Sequence, residues 1–313
     1  MTPSTTLQLE LSACADALPR LQANSSEQKQ EAKRSNMLIR LGYDIQFEVA
    51  VPTPVIAVLD VHPSRRADLL EPDLMKIEPE VPVSQYMDSF GNICSRFTAP
   101  AGVTRLWNST LISDSGQPEE HGFMAEQLAV EQLPPETLQF LLPSRYCEVD
   151  LLAPIAADLF GYTFPGWSRA QAICDWVHNN VTFGYNYARS TKTALEVYTE
   201  RRGVCRDFQH LAIAFCRAMN IPARYATGYL GDIGVPPVPC PMDFSAWFQV
   251  YLGGRWWALD GRHNTRRIGR VLIATGRDAA DVAITTSFGG SILKQFQVVT
   301  DEVTENSSTA PMT

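Results

Sequence analysis

The sequence predicts an α+β core preceded by an all-β, sandwich-like domain, and three observations carry that prediction. From Met37 to about Phe140, short runs of alternating apolar and polar residues are broken by Pro, Gly and Asp, the texture of half-buried strands. Between residues 151 and 219 the apolar period becomes that of helices, and after Arg224 it returns to that of strands. A length of 313 residues with 45% hydrophobic side chains exceeds one ordinary domain and can bury a substantial core.

Residues 1–36 are mostly polar, and the texture changes sharply at a second methionine, Met37. They are expected to be a disordered extension outside the folded unit. The β domain is expected over residues 37–142, with its clearest strands at 37–49, 55–61, 93–97 and 104–107. It holds no evident cluster of His, Cys or carboxylates, so its expected role is structural or substrate-positioning. A proline-rich connector at 133–144 leads into the core, expected over 143–299. Helices are expected near 151–160 and from Ser168 to Asn180, and Thr193 with Glu196 stands at the capping-box spacing that opens another. Cys205 opens the next helix, which shows an apolar stripe of Phe208, Leu211, Phe215 and Met219 and is stopped by Asn220 and Pro222. A strand at 224–230 follows, and Gly253-Gly254 then joins strands at 244–252 and 255–260 in a two-residue hairpin. The polar tail at 300–313 is expected to be disordered.

A net charge of −8 and an isoelectric point near 5.2 argue against a nucleic-acid partner, whose binding rests on phosphate neutralisation. No window holds the apolar run of a membrane span, and no basic stretch followed by an apolar one marks the N-terminal region. The expectation is a cytoplasmic protein with no membrane partner. Seven cysteines, odd in number and without a close CxxC pair, fit reduced thiols better than a disulfide scaffold or zinc site. No metal or organic cofactor is implied. Arg255, Arg262, Arg266, Arg267, Arg270 and Arg277 form a locally basic run, read either as a solvated face or as a surface for acidic substrates.

Cys205 is the candidate nucleophile. It stands at the positive end of a helix dipole with Arg201, Arg202 and Arg206 close in sequence; both effects favour thiolate, although the three arginines read equally as solvated surface. Such a thiol needs a base and an orienting acid. In the hairpin, Val250 is expected to face Trp257 and Trp247 to face Asp260, which places Ser245, Trp247, Gln249, Trp256, Ala258 and Asp260 on one face. Ser245 and Asp260 become diagonal neighbours, the arrangement an imidazole and its carboxylate would require. The acid is present and the imidazole is not.

Gly203-Val204-Cys205-Arg206-Asp207 opening a helix, Asp243-Phe244-x-Ala246-Trp247 and Trp257-x-x-Asp260 together resemble the bacterial transglutaminase-like cysteine peptidase family. The resemblance covers roughly residues 165–290. It implies a papain-type core with the nucleophile on a helix N-terminus beside an antiparallel sheet, and a Cys-His-Asp triad in the same chain order. It assigns Cys205 as nucleophile and Asp260 as orienting acid, and its histidine falls on Ser245.

A serine hydroxyl is no base near neutral pH, so three readings stay open: a histidine from elsewhere, a thiolate working with water held by Ser245 and Asp260, or a degenerate site. His210 lies about 140° around the helix from Cys205 and points away. His178 ends a helix, and His62 and His121 belong to the β-rich region. His263 is the best replacement, although strand parity turns it the wrong way unless the strand ends first at Gly261. Trp247, Trp256 and Trp257 are read as core or cleft wall, Cys216 as a small buried hydrophobe and Asp207 as a dipole-compensating acid. The expected function is peptide or amide hydrolysis, or acyl transfer to an amine acceptor, on a peptide or protein substrate through a Cys205 acyl-enzyme. The alternative is a degenerate module that binds peptide or protein without turnover, and a third idea is a metal site of Cys205, Cys240 and a histidine.

Overall fold

The computed structural model describes residues 36–237 and 242–304. Strand β1 (Met37–Val49) buries Ile39, Leu41, Tyr43, Ile45, Phe47 and Val49, the alternate positions of one face. After it come β2 (Thr53–Ala57), β3 (Lys76–Glu78), β4 (Ser84–Met87), β5 (Ile93–Ala99) and β6 (Gly102–Asp114). β1 and β6 pair antiparallel along their whole length, from Met37 opposite Asp114 to Val49 opposite Gly102.

The connector contains a one-turn helix, α1 (Pro135–Leu138), before α2 (Val149–Phe160) and α3 (Trp167–Asn180). α3 buries Ala170, Ile173, Cys174 and Val177, the i, i+3, i+4, i+7 stripe of a core-facing helix. Thr193 caps α4 (Ala194–Glu200) through the expected reciprocal bonds: Thr193 Oγ1 accepts from Glu196 N–H at 3.4 Å, and Glu196 Oε2 from Thr193 N–H at 2.9 Å. A short parallel pair, β7 (Thr182–Phe183) with β8 (Arg202–Gly203), leads into α5 (Cys205–Ala218). α5 is buried continuously from Asp207 to Arg217, more than its apolar stripe suggests, because it packs against α2, α3 and α4 on one side and the central sheet on the other.

That sheet is antiparallel, in the order β11 (Arg255–Leu259), β10 (Ser245–Leu252), β9 (Ala223–Tyr229), β12 (Val271–Gly276). The hairpin register is the expected one, with Leu252 opposite Arg255 and Val250 opposite Trp257. Positive φ angles of 57° at Gly253 and 86° at Gly254 are what a type I′ turn demands. The ladder stops at Phe248 opposite Leu259, so the expected Trp247–Asp260 pairing does not form.

The end of the chain then returns to the β domain. β13 (Thr285–Ser287) joins β2, and β14 (Ser291–Glu302) joins β1, completing two four-stranded sheets in the orders β14-β1-β6-β3 and β13-β2-β5-β4. This corrects the expected boundary at residue 300, since Thr300 to Glu302 are strand and residues 291–302 extend the N-terminal sheet rather than the core. The segment reads as polar because Lys294, Gln295 and Gln297 lie on its partly solvated flank, where Gln295 Oε1 accepts from Gln46 at 3.0 Å; Val298 and Thr300 are buried. Most of the expected extension and tail lies outside the described residues. No helix among those described is long and apolar enough to cross a membrane.

Candidate active site

Cys205 is the first residue of α5 and is half-buried. The turn before it is held by Asp207, whose Oδ2 accepts the Val204 N–H at 3.0 Å. Gly203 lies so close that a Cβ there would stand 2.6 Å from Asp207 Cβ. The nearby arginines do not serve the thiol as expected. Arg201 stacks on Trp176 and Tyr198 at 4.5 and 4.2 Å, Arg202 lies 5.3 Å from the Tyr187 ring, and Arg206 donates to Asp207 Oδ1 at 3.0 Å. Burial pushes the Cys205 thiol up to about 11, with Asp243 and Asp260 adding to the rise against the opposing effects of Arg262 and the Arg206 amide. Burial thus outweighs the lowering expected from the helix dipole and the neighbouring arginines.

Asp260 supplies the anchor for a base. Because β11 ends at Leu259, residues 260–263 form a turn in which the Asp260 carbonyl accepts Asn264 N–H at 2.8 Å and Asn264 takes a φ of 48°. His263 is thereby swung back onto Asp260, with its Nδ1 2.9 Å from Oδ2. Asp260 Oδ1 accepts the amides of Arg262 and His263 at 2.9 and 3.2 Å and the Gln209 side chain at 3.0 Å. Arg270 approaches Oδ2 at 3.5 Å. Burial works against the charge of this carboxyl, but the His263 hydrogen bond and the Arg270 guanidinium outweigh it and hold the group well below the usual carboxylate range. An ionised carboxylate only accepts, so His263 Nδ1 carries the proton, and in the neutral ring Nε2 keeps its lone pair.

Cys205, Ser245 and His263 line one cavity of about 230 Å³, together with Phe183, Asp243 and Arg262. Ser245, where the resemblance implies a histidine, is the buried first residue of β10. The structure therefore brings all four expected site residues together, with Asp260 standing behind His263. A larger cavity of about 360 Å³ borders Asp260 from the other side, lined by His121 and Trp167 and without the Cys205 thiol. The remaining histidines are engaged elsewhere. His210 is buried, stacked on Tyr146 at 4.9 Å, and accepts Ala279 N–H at 3.1 Å; His178 pairs with the Arg262 carbonyl at 2.9 Å. His121 stacks on Phe123, and His62 caps a turn at Ser64.

Gln209 is the residue sequence reasoning missed. Its amide also donates to Ala246 O at 3.2 Å, and its Oε1 accepts Gly261 N–H at 3.1 Å, so it ties α5 to both sides of the site. Its signal was available: it sits one helical turn after Cys205, on the same face. The arginine run is divided: Arg255, Arg266 and Arg277 are exposed, Arg267 is buried, and Arg262 lines the Cys205 cavity. Arg270 pairs with Glu119 at 2.5 Å, Arg277 with Asp281 at 2.9 Å, Arg255 with Glu120, and the buried Arg267 donates to Gly231 O at 2.8 Å. Trp247 is buried beneath the Arg270 guanidinium at 4.6 Å, and Trp257 donates to Leu252 O at 3.0 Å, both as walls. No group of three His, Cys, Asp or Glu among the described residues is placed to hold a metal; Cys240 lies outside them.

The model of the transglutaminase-like superfamily matches residues 156–261, which include Cys205, Ser245 and Asp260 and end before His263. A solved structure named "Putative Cysteine Protease", from Cytophaga hutchinsonii, is 32% identical, covers 87% of this chain and 93% of its own, and superposes with a TM-score of 0.74. The chain belongs to the transglutaminase-like superfamily. Uncharacterized proteins of Mycobacterium leprae and Mycobacterium tuberculosis are also similar. The first is 24% identical over 205 residues, covering 64% of this chain and 73% of the relative. The second is 26% identical over 225 residues, covering 62% and 68%. The matched span holds most of the helices and the strands β9, β10 and β11, whereas β12 and the two four-stranded sheets of the β region lie outside it.

Proposed function

We propose that this protein performs thiol-dependent acyl chemistry on a peptide or amide bond, with Cys205 as nucleophile, His263 as base and Asp260 orienting the imidazole. The observation that carries the reading is the 2.9 Å contact between His263 Nδ1 and Asp260 Oδ2 at the wall of the Cys205 cavity. His263 then fills the role for which Ser245 is chemically unsuited, reaching the cavity from the far side of the carboxylate. The name borne by the Cytophaga hutchinsonii relative favours hydrolysis over transfer.

In this mechanism, His263 Nε2 takes the Cys205 proton as sulfur attacks the carbonyl carbon and the C–S bond forms. The oxyanion is received at the N-terminus of α5, where the Cys205 N–H has no partner within the helix. Collapse breaks the C–N bond, and the imidazolium returns its proton to the leaving amine. Water, or an amine acceptor, then attacks the thioester while His263 accepts its proton; the C–S bond breaks, the acid or amide product leaves, and the imidazolium returns the proton to Cys205 Sγ. A thiol pushed up to about 11 makes this base essential, since little thiolate exists at neutral pH without it.

The test is intact-mass analysis after exposure to an aryl ester. One acyl group should appear on the parent protein and none on Cys205→Ala. Absence of a Cys205 adduct in the parent, joined to new activity in Ser245→His, would instead establish the degenerate binding module.

A further inference from the structure

Cys205 lies between two depressions. Cys205, Asp243 and Phe244 line both, but the remaining walls differ in chemistry. The cavity already described carries His263, Arg262 and Asp232. The other, about 180 Å³, is walled by Tyr225, Ala279, Val282, Ala283, Ile284 and Phe296. Its far wall is pinned at both ends: His210 Nε2 accepts Ala279 N–H at 3.1 Å, and Ile284 O accepts Val58 N–H at 2.9 Å. Phe296 comes from β14, with its ring 5.8 Å from that of Phe244.

Resting on the acyl-enzyme reading above, we infer that this second depression is the acyl-side specificity pocket and takes a short aliphatic side chain or acyl chain of the substrate. The proton economy of the reaction fixes the direction. The leaving amine must meet the imidazolium, so it departs through the cavity that contains His263. The acyl portion, bonded to Cys205 Sγ, then extends to the opposite side, where the walls are apolar and burying each methylene is favourable. The β region acquires a substrate-positioning role through Phe296 and the Val58 anchor, and His210 becomes a positioning residue for the pocket wall.

Acylation of the parent, Ala283→Phe and Ile284→Ala by p-nitrophenyl acetate and p-nitrophenyl hexanoate tests this. Filling the pocket in Ala283→Phe should lower the hexanoate-to-acetate ratio of kcat/KM by about tenfold or more. Ile284→Ala, which widens the same wall, should shift that ratio toward hexanoate. A ratio unchanged in both variants, with the parent still acylated by both esters, overturns the pocket assignment alone. No thioester on the parent with either ester overturns the catalytic reading and the pocket with it.

Discussion

His263 owes its place to where a strand stops. Strand parity alone would have turned it from the site, but β11 ends at Leu259 and the Asp260 turn brings the imidazole back to its carboxylate. Cys205 and Asp260 were legible because short motifs carry their chemistry; His263 was legible only conditionally, since a turn of this kind is decided by hydrogen bonds that spacing does not record. The thiol was misread for a related reason: arginines adjacent in sequence stack on Trp176, Tyr198 and Tyr187 instead of facing sulfur. Iodoacetamide labelling of resting Cys205 should therefore be slow at neutral pH and rise toward pH 11; a reactive plateau below pH 8 would contradict the raised thiol. Gln209→Ala should cost about 1.5–3 kcal/mol in urea unfolding, because it removes a bond to the Asp260 carboxylate and leaves the buried Gly261 N–H unpaired. Asp260 itself has a depressed carboxyl, so its contribution is present above the unfolded carboxylate pKa and lost as pH falls toward the folded value; Asp260→Asn should flatten acid unfolding over that range.

At the scale of elements, the capping box at Thr193 and the Gly253-Gly254 hairpin were readable because local backbone chemistry specifies them. β14 was not, because a strand whose outer flank is solvated carries a polar sequence, and its partner β1 lies at the opposite end of the chain. The start of α5 depends on a close approach that sequence hints at only through a glycine. Gly203→Ala should push Asp207 from the Val204 amide and cost about 1–3 kcal/mol, with Cys205 acylation slowed in parallel. Unchanged thermal stability and acylation in this variant would show that the turn tolerates the methyl group.

The whole molecule joins two β sheets to a helix-backed central sheet, and the β region holds a feature invisible in its sequence. Buried Asp60 and half-buried Asp73 stand near each other, although no carboxylate cluster was expected there. Burial, then the Asp73 charge, pushes the Asp60 carboxyl up to about 6. A raised carboxyl pKa means that the fold holds the proton more tightly than the unfolded chain, so stability falls as pH rises from about 4 to about 6. The loss is on the order of 3 kcal/mol, and Asp60→Asn should raise the Tm at pH 7 and reduce this slope, with Asp73, also raised by burial, supplying part of what remains. Cys205 on a helix and His263 beyond a hairpin, distant in the chain, make up the proposed catalytic unit. The single-turnover rate of Cys205 acylation by an aryl ester in His263→Ala beside Ser245→Ala tests that pairing. A loss of about a hundredfold to ten-thousandfold is expected for His263→Ala and a rate near the parent's for Ser245→Ala. Parent-like acylation in His263→Ala would contradict the pairing.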